Sequence, residues 1–239
     1  GTSIKTVPPH ILEILGTTPL DFGVIDAEHA PFDRAAMDLM MLAGRAAGLP
    51  LFVRVPDFAP STLLSTLDLG AAGIVVPHVD SAEQAAQIVS RARYHGGERG
   101  FSSSPRAAGY GMMSYQQAQQ AGDRTLVMCQ IESVDGLKNA EAIAAVPGVD
   151  GLFVGRADLA LSMGETGSRS PKVLEATQRI LKAATDAGKI AAMFVASNPE
   201  RDEFSAQGAS WFIVGSDQSL LRQAAQAIAS STAPRPRSA

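Results

Sequence analysis

The chain has 239 residues, 46% of them apolar, with a formal net charge of −4 and one cysteine. That length fits a single α/β domain with an ample core. The charge excludes a basic nucleic-acid surface, a lone cysteine excludes an internal disulfide framework, and no apolar run reaches the roughly 20 residues of a membrane helix.

Taken in order, short apolar runs recur, each followed by a turn and a stretch with helical spacing. They are Thr2 to Lys5, Phe22 to Ile25, Leu51 to Val55, Gly73 to Val76, Leu126 to Ile131, Gly151 to Val154, Ile190 to Val195 and Trp211 to Val214. A weaker run, Arg99 to Ser102, reads as loop. Ser81 with Gln84 predicts a capping box, Ser61 marks a helix start, and Asn198 before Pro199 predicts a cap with proline at the first helical position. Gly16, Gly48, Gly70, Gly188 and Gly208 predict left-handed helix ends. Near-continuous apolar strands predict a parallel sheet covered by helices, and eight of them predict closure into a (β/α)8 TIM barrel. No GxGxxG follows the first strand, which argues against a dinucleotide-binding sheet. The expected organisation is one α/β domain over 1–231 and a flexible tail over 232–239. Cys129 reads as a small buried hydrophobe, and with no leader-like N-terminus a reducing, cytoplasmic setting is expected.

In a closed barrel the site lies at the C-terminal ends of the strands, so polar residues just after apolar runs are the first candidates. Asp26, Glu28 and His29 follow the second run, Arg54 ends the third, Gln130 and Glu132 stand at the end of the run Leu126 to Ile131, and Gly155, Arg156, Ala157 and Asp158 follow Val154. Glu132 and Asp158 are one βα unit apart, so two carboxylates face one rim. Without a histidine or thiolate between them they suit a hard divalent cation such as magnesium or manganese, with cobalt as a further option. The plainer alternative is that each caps a helix. Such a cation would leave room for a 2-oxo acid and stabilise its enolate. Arg54 suits a carboxylate or oxyanion, or else a salt bridge to Asp26 or Asp57. His29 serves proton transfer with Asp26 or Glu28 orienting its ring. His78, also at a strand end, ranks behind it, and His10 and His95 read as surface residues. The segment 98–111, rich in Gly and Ser, reads as a lid or wall whose Arg99 and Arg106 either contact an anionic substrate or stand as solvated surface arginines.

The stretches DFGVIDAEHAPFD at 21–33, PLFVRVP at 50–56, LDLGAAGIVVPHVDSAEQA at 67–85, QIES at 130–133 and VDGLFVGRADLALSMG at 149–164 resemble, in order, the HpcH/HpaI (class II pyruvate) aldolases. The resemblance implies a (β/α)8 fold, Glu132 and Asp158 on the metal, His29 with Asp26 as acid/base pair, and Arg54 on the pyruvate enolate. It places Gln130 against the bound substrate and gives the pyruvate carboxylate to backbone amides near Gly155, Arg156 and Ala157. It also implies a homo-oligomer, trimer or hexamer, with an exchanged C-terminal helix. Many members have proline where this chain has Arg156, and that departure leaves hydroxypyruvate beside pyruvate as donor.

The expected activity is a carbon-carbon lyase: reversible aldol addition of a 2-oxo acid to an aldehyde, giving 4-hydroxy-2-oxo acids. No partner beyond small molecules and further copies of the chain is expected. The alternatives are a citrate-lyase-like or Claisen-type enzyme acting on an acyl-CoA, a Schiff-base aldolase using Lys5, and a non-catalytic 2-oxo-acid binding module.

Overall fold

The computed structural model describes residues 1–230, so the tail expected over 232–239 lies outside the described residues. The strands are β1 (Thr2–Ile4), β2 (Gly23–Asp26), β3 (Leu51–Arg54), β4 (Gly73–Val76), β5 (Leu126–Ile131), β6 (Gly151–Val154), β7 (Ile190–Val195) and β8 (Trp211–Val214). Between and after them run α1 (His10–Gly16), α2 (Arg34–Ala46), α3 (Pro60–Asp68), α4 (Ala82–Ala92), α5 (Tyr115–Asp123) and α6 (Val134–Lys138). The series continues with α7 (Ala140–Ala144), α8 (Arg156–Ser162), α9 (Pro171–Asp186), α10 (Asn198–Ser205) and α11 (Asp217–Ser230).

Each strand pairs in parallel with the next, from β1 through to β8. The ends meet through a parallel bridge between Ser3 and Ser216, with Ser3 N donating to the Gly215 carbonyl at 3.2 Å and Val214 N to that of Gly1 at 2.9 Å. The result is the (β/α)8 barrel that the eight apolar runs predict. Alternate strand residues divide between two apolar layers. Val24, Phe52, Val75, Met128, Phe153 and Ile213 fill the barrel interior, while Ile25, Val53, Ile74, Cys129, Leu152 and Met193 pack under the helices. Burial pushes the Cys129 thiol up to about 12, so it behaves as the inert hydrophobe its surroundings suggest.

Aromatic side chains stop the N-terminal end of the barrel. Trp211 stacks on Phe22 at 4.3 Å between ring centroids and meets Phe52 edge-on at 5.2 Å. The interior therefore opens toward the strand C-termini, where the loops carry the polar residues.

Several local expectations shift. Gly48, Gly70, Gly188 and Gly208 do adopt positive φ, but Gly16 stays helical, and the carbonyls of Ile14 and Leu15 accept from the hydroxyls of Thr17 and Thr18 instead. Gly16 is needed for close approach: a Cβ there would stand 2.6 Å from that of Ala47. Ser81 accepts from Gln84 N, but the Gln84 side chain turns to Asp80 N, leaving the box half formed. Ser61 lies inside α3, which starts at Pro60, and Ser197 rather than Asn198 caps α10. The complete capping box, Ser114 with Gln117, starts α5.

Candidate active site

A cavity of about 660 Å³ opens at the C-terminal ends of the strands. Its floor is the top of the barrel interior, Val24, Phe153 and Ile213, beside Ser3. Phe194 is 41% exposed although it sits in a strand, because it faces this cavity and not the core. A smaller groove of about 420 Å³ lies at the opposite face, beside α2 and the loops before β3 and β4.

Asp26, at the end of β2, is the hub of one wall and is 1% exposed. Its Oδ1 accepts from Arg54 Nε at 3.0 Å and from the backbone N–H of His29 at 3.2 Å, and its Oδ2 accepts from Arg54 Nη2 at 2.8 Å. The Lys5 ammonium reaches Oδ2 at 2.7 Å. Burial pushes the Asp26 carboxyl up, but the Arg54 fork and the Lys5 ammonium outweigh it and hold the group down at about 2. The anticipated salt bridge of Arg54 to Asp26 is therefore present, and the residue also lines the cavity. Asp57 instead accepts from Ala59 N before α3.

Glu28 continues this wall. Arg54 Nε lies 3.2 Å from Glu28 Oε2, an ion pair without hydrogen-bond alignment. The ring of His29 faces Glu28, with Nε2 3.6 Å from Oε2, whereas Asp26 meets only its backbone. Of the two carboxylates open as partners to that ring, the nearer is Glu28.

Glu132 directly follows β5 and is 3% exposed. Its Oε1 accepts from His78 N at 2.8 Å, and its Oε2 accepts from the Gln130 side-chain amide. His78 Nδ1 lies 3.1 Å from the same Oε1, and its Nε2 lies 3.5 Å from Glu28 Oε1. Burial raises the Glu132 carboxyl above the usual carboxylate range, against the opposing pull of Gln130 and His78. Glu132 does not cap the next helix; the Ser133 hydroxyl does, accepting from Gly136 N.

Asp158 stands in the first turn of α8, whose start carries no side-chain cap. It lines the cavity and makes no hydrogen bond or ion pair among the described residues. Gly155, three residues earlier, presses on Glu132: a Cβ there would stand 2.6 Å from Glu132 Oε2. The start of the β6–α8 turn thus runs against the β5 carboxylate. The donor set suits a hard divalent cation: a buried carboxylate without Lys or Arg, an unpaired carboxylate, and the Gln130 Oε1, buried without a partner. Among the described residues no group of three or more His, Cys, Asp or Glu side chains is placed to hold a metal ion by itself.

Gly155, Arg156 and Ala157 line the cavity, but the Arg156 guanidinium turns into the protein. It lies over the Phe204 ring at 4.7 Å to the centroid, with Nη2 bonded to Glu200 at 2.8 Å and to the Phe194 carbonyl at 3.2 Å. Its charge is therefore paired and does not add to the carboxylate pocket. Arg99 and Arg106, read above as substrate contacts, are absent from the cavity walls. Arg99 bonds Asp68 at 3.0 Å and lies over the Tyr94 ring, while Arg106 bonds the Leu69 carbonyl and Asp38. Both pin segment 98–111 to the helical shell.

Sequence reasoning passed over three members of the site. Glu28 entered only as a possible partner, Lys5 only as a Schiff-base candidate, and His78 behind His29. The position of His78 after Pro77 at a strand end was the available signal. Its left-handed backbone, φ 55, is visible only in three dimensions.

The chain is 38% identical to the 5-keto-4-deoxy-D-glucarate aldolase of Klebsiella pneumoniae subsp. pneumoniae over 223 residues, 92% of this chain and 87% of the relative. Among solved structures, an HpcH/HpaI aldolase/citrate lyase family protein from Burkholderia cenocepacia J2315 is 34% identical with a TM-score of 0.91, covering 97% of this chain and 93% of that one. The citrate synthase SbnG is 28% identical with a TM-score of 0.84, over 97% and 91%. The model of the HpcH/HpaI aldolase/citrate lyase family matches residues 4–224, and with these relatives it shows that the chain belongs to that family of carbon-carbon lyases.

Proposed function

We propose that the chain is a divalent-metal-dependent aldolase that joins pyruvate, or hydroxypyruvate, to an aldehyde and cleaves the resulting 4-hydroxy-2-oxo acid. The observation that carries this reading is the unpaired Asp158 carboxylate on the same rim as the buried Glu132, beside a Gln130 oxygen that lacks a partner. Magnesium, manganese or cobalt held by Glu132 and Asp158 would supply Lewis acidity that stabilises an enolate.

The chain's own residues do the rest. Arg54, fixed in a fork on Asp26, keeps Nη1 for the keto oxygen, where negative charge develops. Backbone amides near Gly155 to Ala157 receive the acid's carboxylate, and Gln130 lies against the substrate. In cleavage, His29 takes the proton of the 4-hydroxyl, the bond between C3 and C4 breaks, its electron pair enters the enolate, and a proton at C3 completes pyruvate. Glu28 orients the His29 ring, while Asp26 orients Arg54 and the His29 backbone.

The Lys5 ammonium is committed to Asp26, whereas Schiff-base chemistry needs a free amine. The similarity to a citrate synthase favours a second reading, condensation with an acyl-CoA. Against it, each of the four cations lining the cavity, Lys5, Arg54, Arg156 and Arg169, already has a carboxylate partner, so no unpaired cationic cluster faces the CoA phosphates.

A homo-oligomer, trimer or hexamer, fits α11: Leu220 and Leu221 stand 43% and 74% exposed on a helix whose residues beyond Asp217 are hardly covered by the barrel. No helix among the described residues is long and apolar enough to cross a membrane, and a reducing cytoplasm suits the single buried thiol.

The test is exchange of pyruvate methyl protons into deuterated water. The metal-loaded protein should accelerate exchange, and chelation should stop it. A protein that binds pyruvate without exchange would be a binding module, and exchange that survives exhaustive chelation would remove the metal from the proposal.

A further inference from the structure

We infer that Lys5 determines specificity for the second substrate, by donating from its ammonium to an oxygen on the carbon next to the aldehyde group. This inference rests on the aldolase reading above.

In an eight-stranded barrel β1 stands across the mouth from β5, so Lys5 faces Gln130 over the cavity. A three-carbon acid held along β5 and β6 occupies only part of about 660 Å³. The wall left for the aldehyde is built from β7, β8 and β1: Phe194, Ser216, Gln218 and Lys5, with Ser168 and Arg169 beside them.

Lys5 is fixed at both ends. The Asp217 carboxylate, 4% exposed at the start of α11, accepts from Lys5 N at 3.0 Å and Thr6 N at 2.9 Å. The ammonium rests 2.7 Å from Asp26 Oδ2, and the side chain remains 29% exposed into the cavity. One N–H is used by Asp26; the remaining two have no partner among the described residues. A donor presented from a pinned backbone and anchored side chain is preorganised for a ligand.

The carboxylate on the β7 side cannot compete for that role, because it is saturated. Glu200 Oε1 accepts from Arg156 at 2.8 Å and Arg169 at 2.9 Å, and Oε2 accepts from Ala196 N at 2.7 Å. Arg169 is held between Glu200 and Glu203. Of the two cations on this wall, Arg169 is shared between two carboxylates whereas Lys5 is held by one, so the matching ligand presents an acceptor oxygen to Lys5. A site built to bond such an oxygen discriminates strongly against an analogue that lacks it.

The experiment compares pyruvate addition to glycolaldehyde, glyoxylate and propanal, in which the carbon next to the aldehyde carries a hydroxyl, is itself a carboxylate, or carries a methyl group. Wild type should favour an oxygen-bearing aldehyde over propanal in kcat/KM. In Lys5→Met the ratio of the preferred aldehyde to propanal should fall about tenfold or more, the equivalent of about 1.4 kcal/mol. Lys5→Arg should restore most of it. The larger fall, with glycolaldehyde or with glyoxylate, tells whether hydroxyl or carboxylate is the natural partner. An unchanged ratio, an equal loss on all three aldehydes, or a wild type that prefers propanal overturns the inference. The last comparison needs no variant, so it stands even where Lys5→Met does not fold. Failure of the wild type to exchange pyruvate methyl protons would strike the aldolase reading instead.

Discussion

The Glu132 carboxylate lies against the α-carbon of Gly155, so close that a Cβ there would stand 2.6 Å from Oε2 and 2.7 Å from Glu132 Cβ. The backbone at this point has an ordinary negative φ, so the glycine is required by contact and not by conformation. Gly155→Ala should push Glu132 or the start of α8 aside and lower kcat about a hundredfold, the scale expected for a misplacement of about 1 Å. Circular dichroism and activity at saturating metal check this; a fully active Gly155→Ala protein would show that Glu132 needs no fixed position.

Asp26 sets a pH dependence of stability. Its folded pKa, about 2, lies below the ordinary aspartate value of 3.8. The ionised group therefore contributes stability that is fully present above the unfolded value and lost as pH falls toward 2. The contribution is roughly 2 kcal/mol. Asp26→Asn should be less stable than wild type at neutral pH, and the gap should narrow as the medium is acidified below pH about 4. Urea unfolding across this range reads it, and a gap that stays constant would contradict it.

Arg156 is bonded to Glu200 and packed on Phe204, so its loss should appear in stability. Arg156→Met removes one partner of a largely buried pair and should cost about 3 kcal/mol. Since Glu200 also holds Arg169 and Ala196, the Arg156→Met and Glu200→Gln changes should couple in a double-mutant cycle. Strict additivity of the two would mean that the contact carries no energy.

Borohydride reduction in the presence of pyruvate should leave Lys5 unmodified, because its ammonium is engaged by Asp26. Mass spectrometry of the intact chain decides this, and a pyruvyl adduct on Lys5 would replace the metal reading with an imine one.

The barrel was legible because its strands are near-continuous apolar runs, a pattern set by burial on both faces. Phe194 is the exception in β7, exposed because the cavity lies over it. The candidate residues at strand ends, Asp26, Arg54, Gln130 and Glu132, were legible as a group for the same reason: the periodicity fixes where a strand ends and hence which residues stand at that end of the barrel. Directions within the mouth were not. The turn of Arg156 toward Glu200 depends on a residue 44 positions away, and the approach of His78 to Glu132 joins the ends of β4 and β5 through a left-handed residue. Segment 98–111 looked like a lid because glycine and serine suggest mobility. Its arginines instead find Asp68, Asp38 and the Leu69 carbonyl in the helical shell, partners that spacing along the chain does not reveal.

Titration of manganese into the chelator-treated protein, followed by electron paramagnetic resonance or calorimetry, addresses the carboxylate pair without relying on turnover. Wild type should bind one ion per chain, and Glu132→Gln and Asp158→Asn should each weaken binding by about a hundredfold or more. Equal affinity in wild type and both variants would mean that these two carboxylates do not hold the ion.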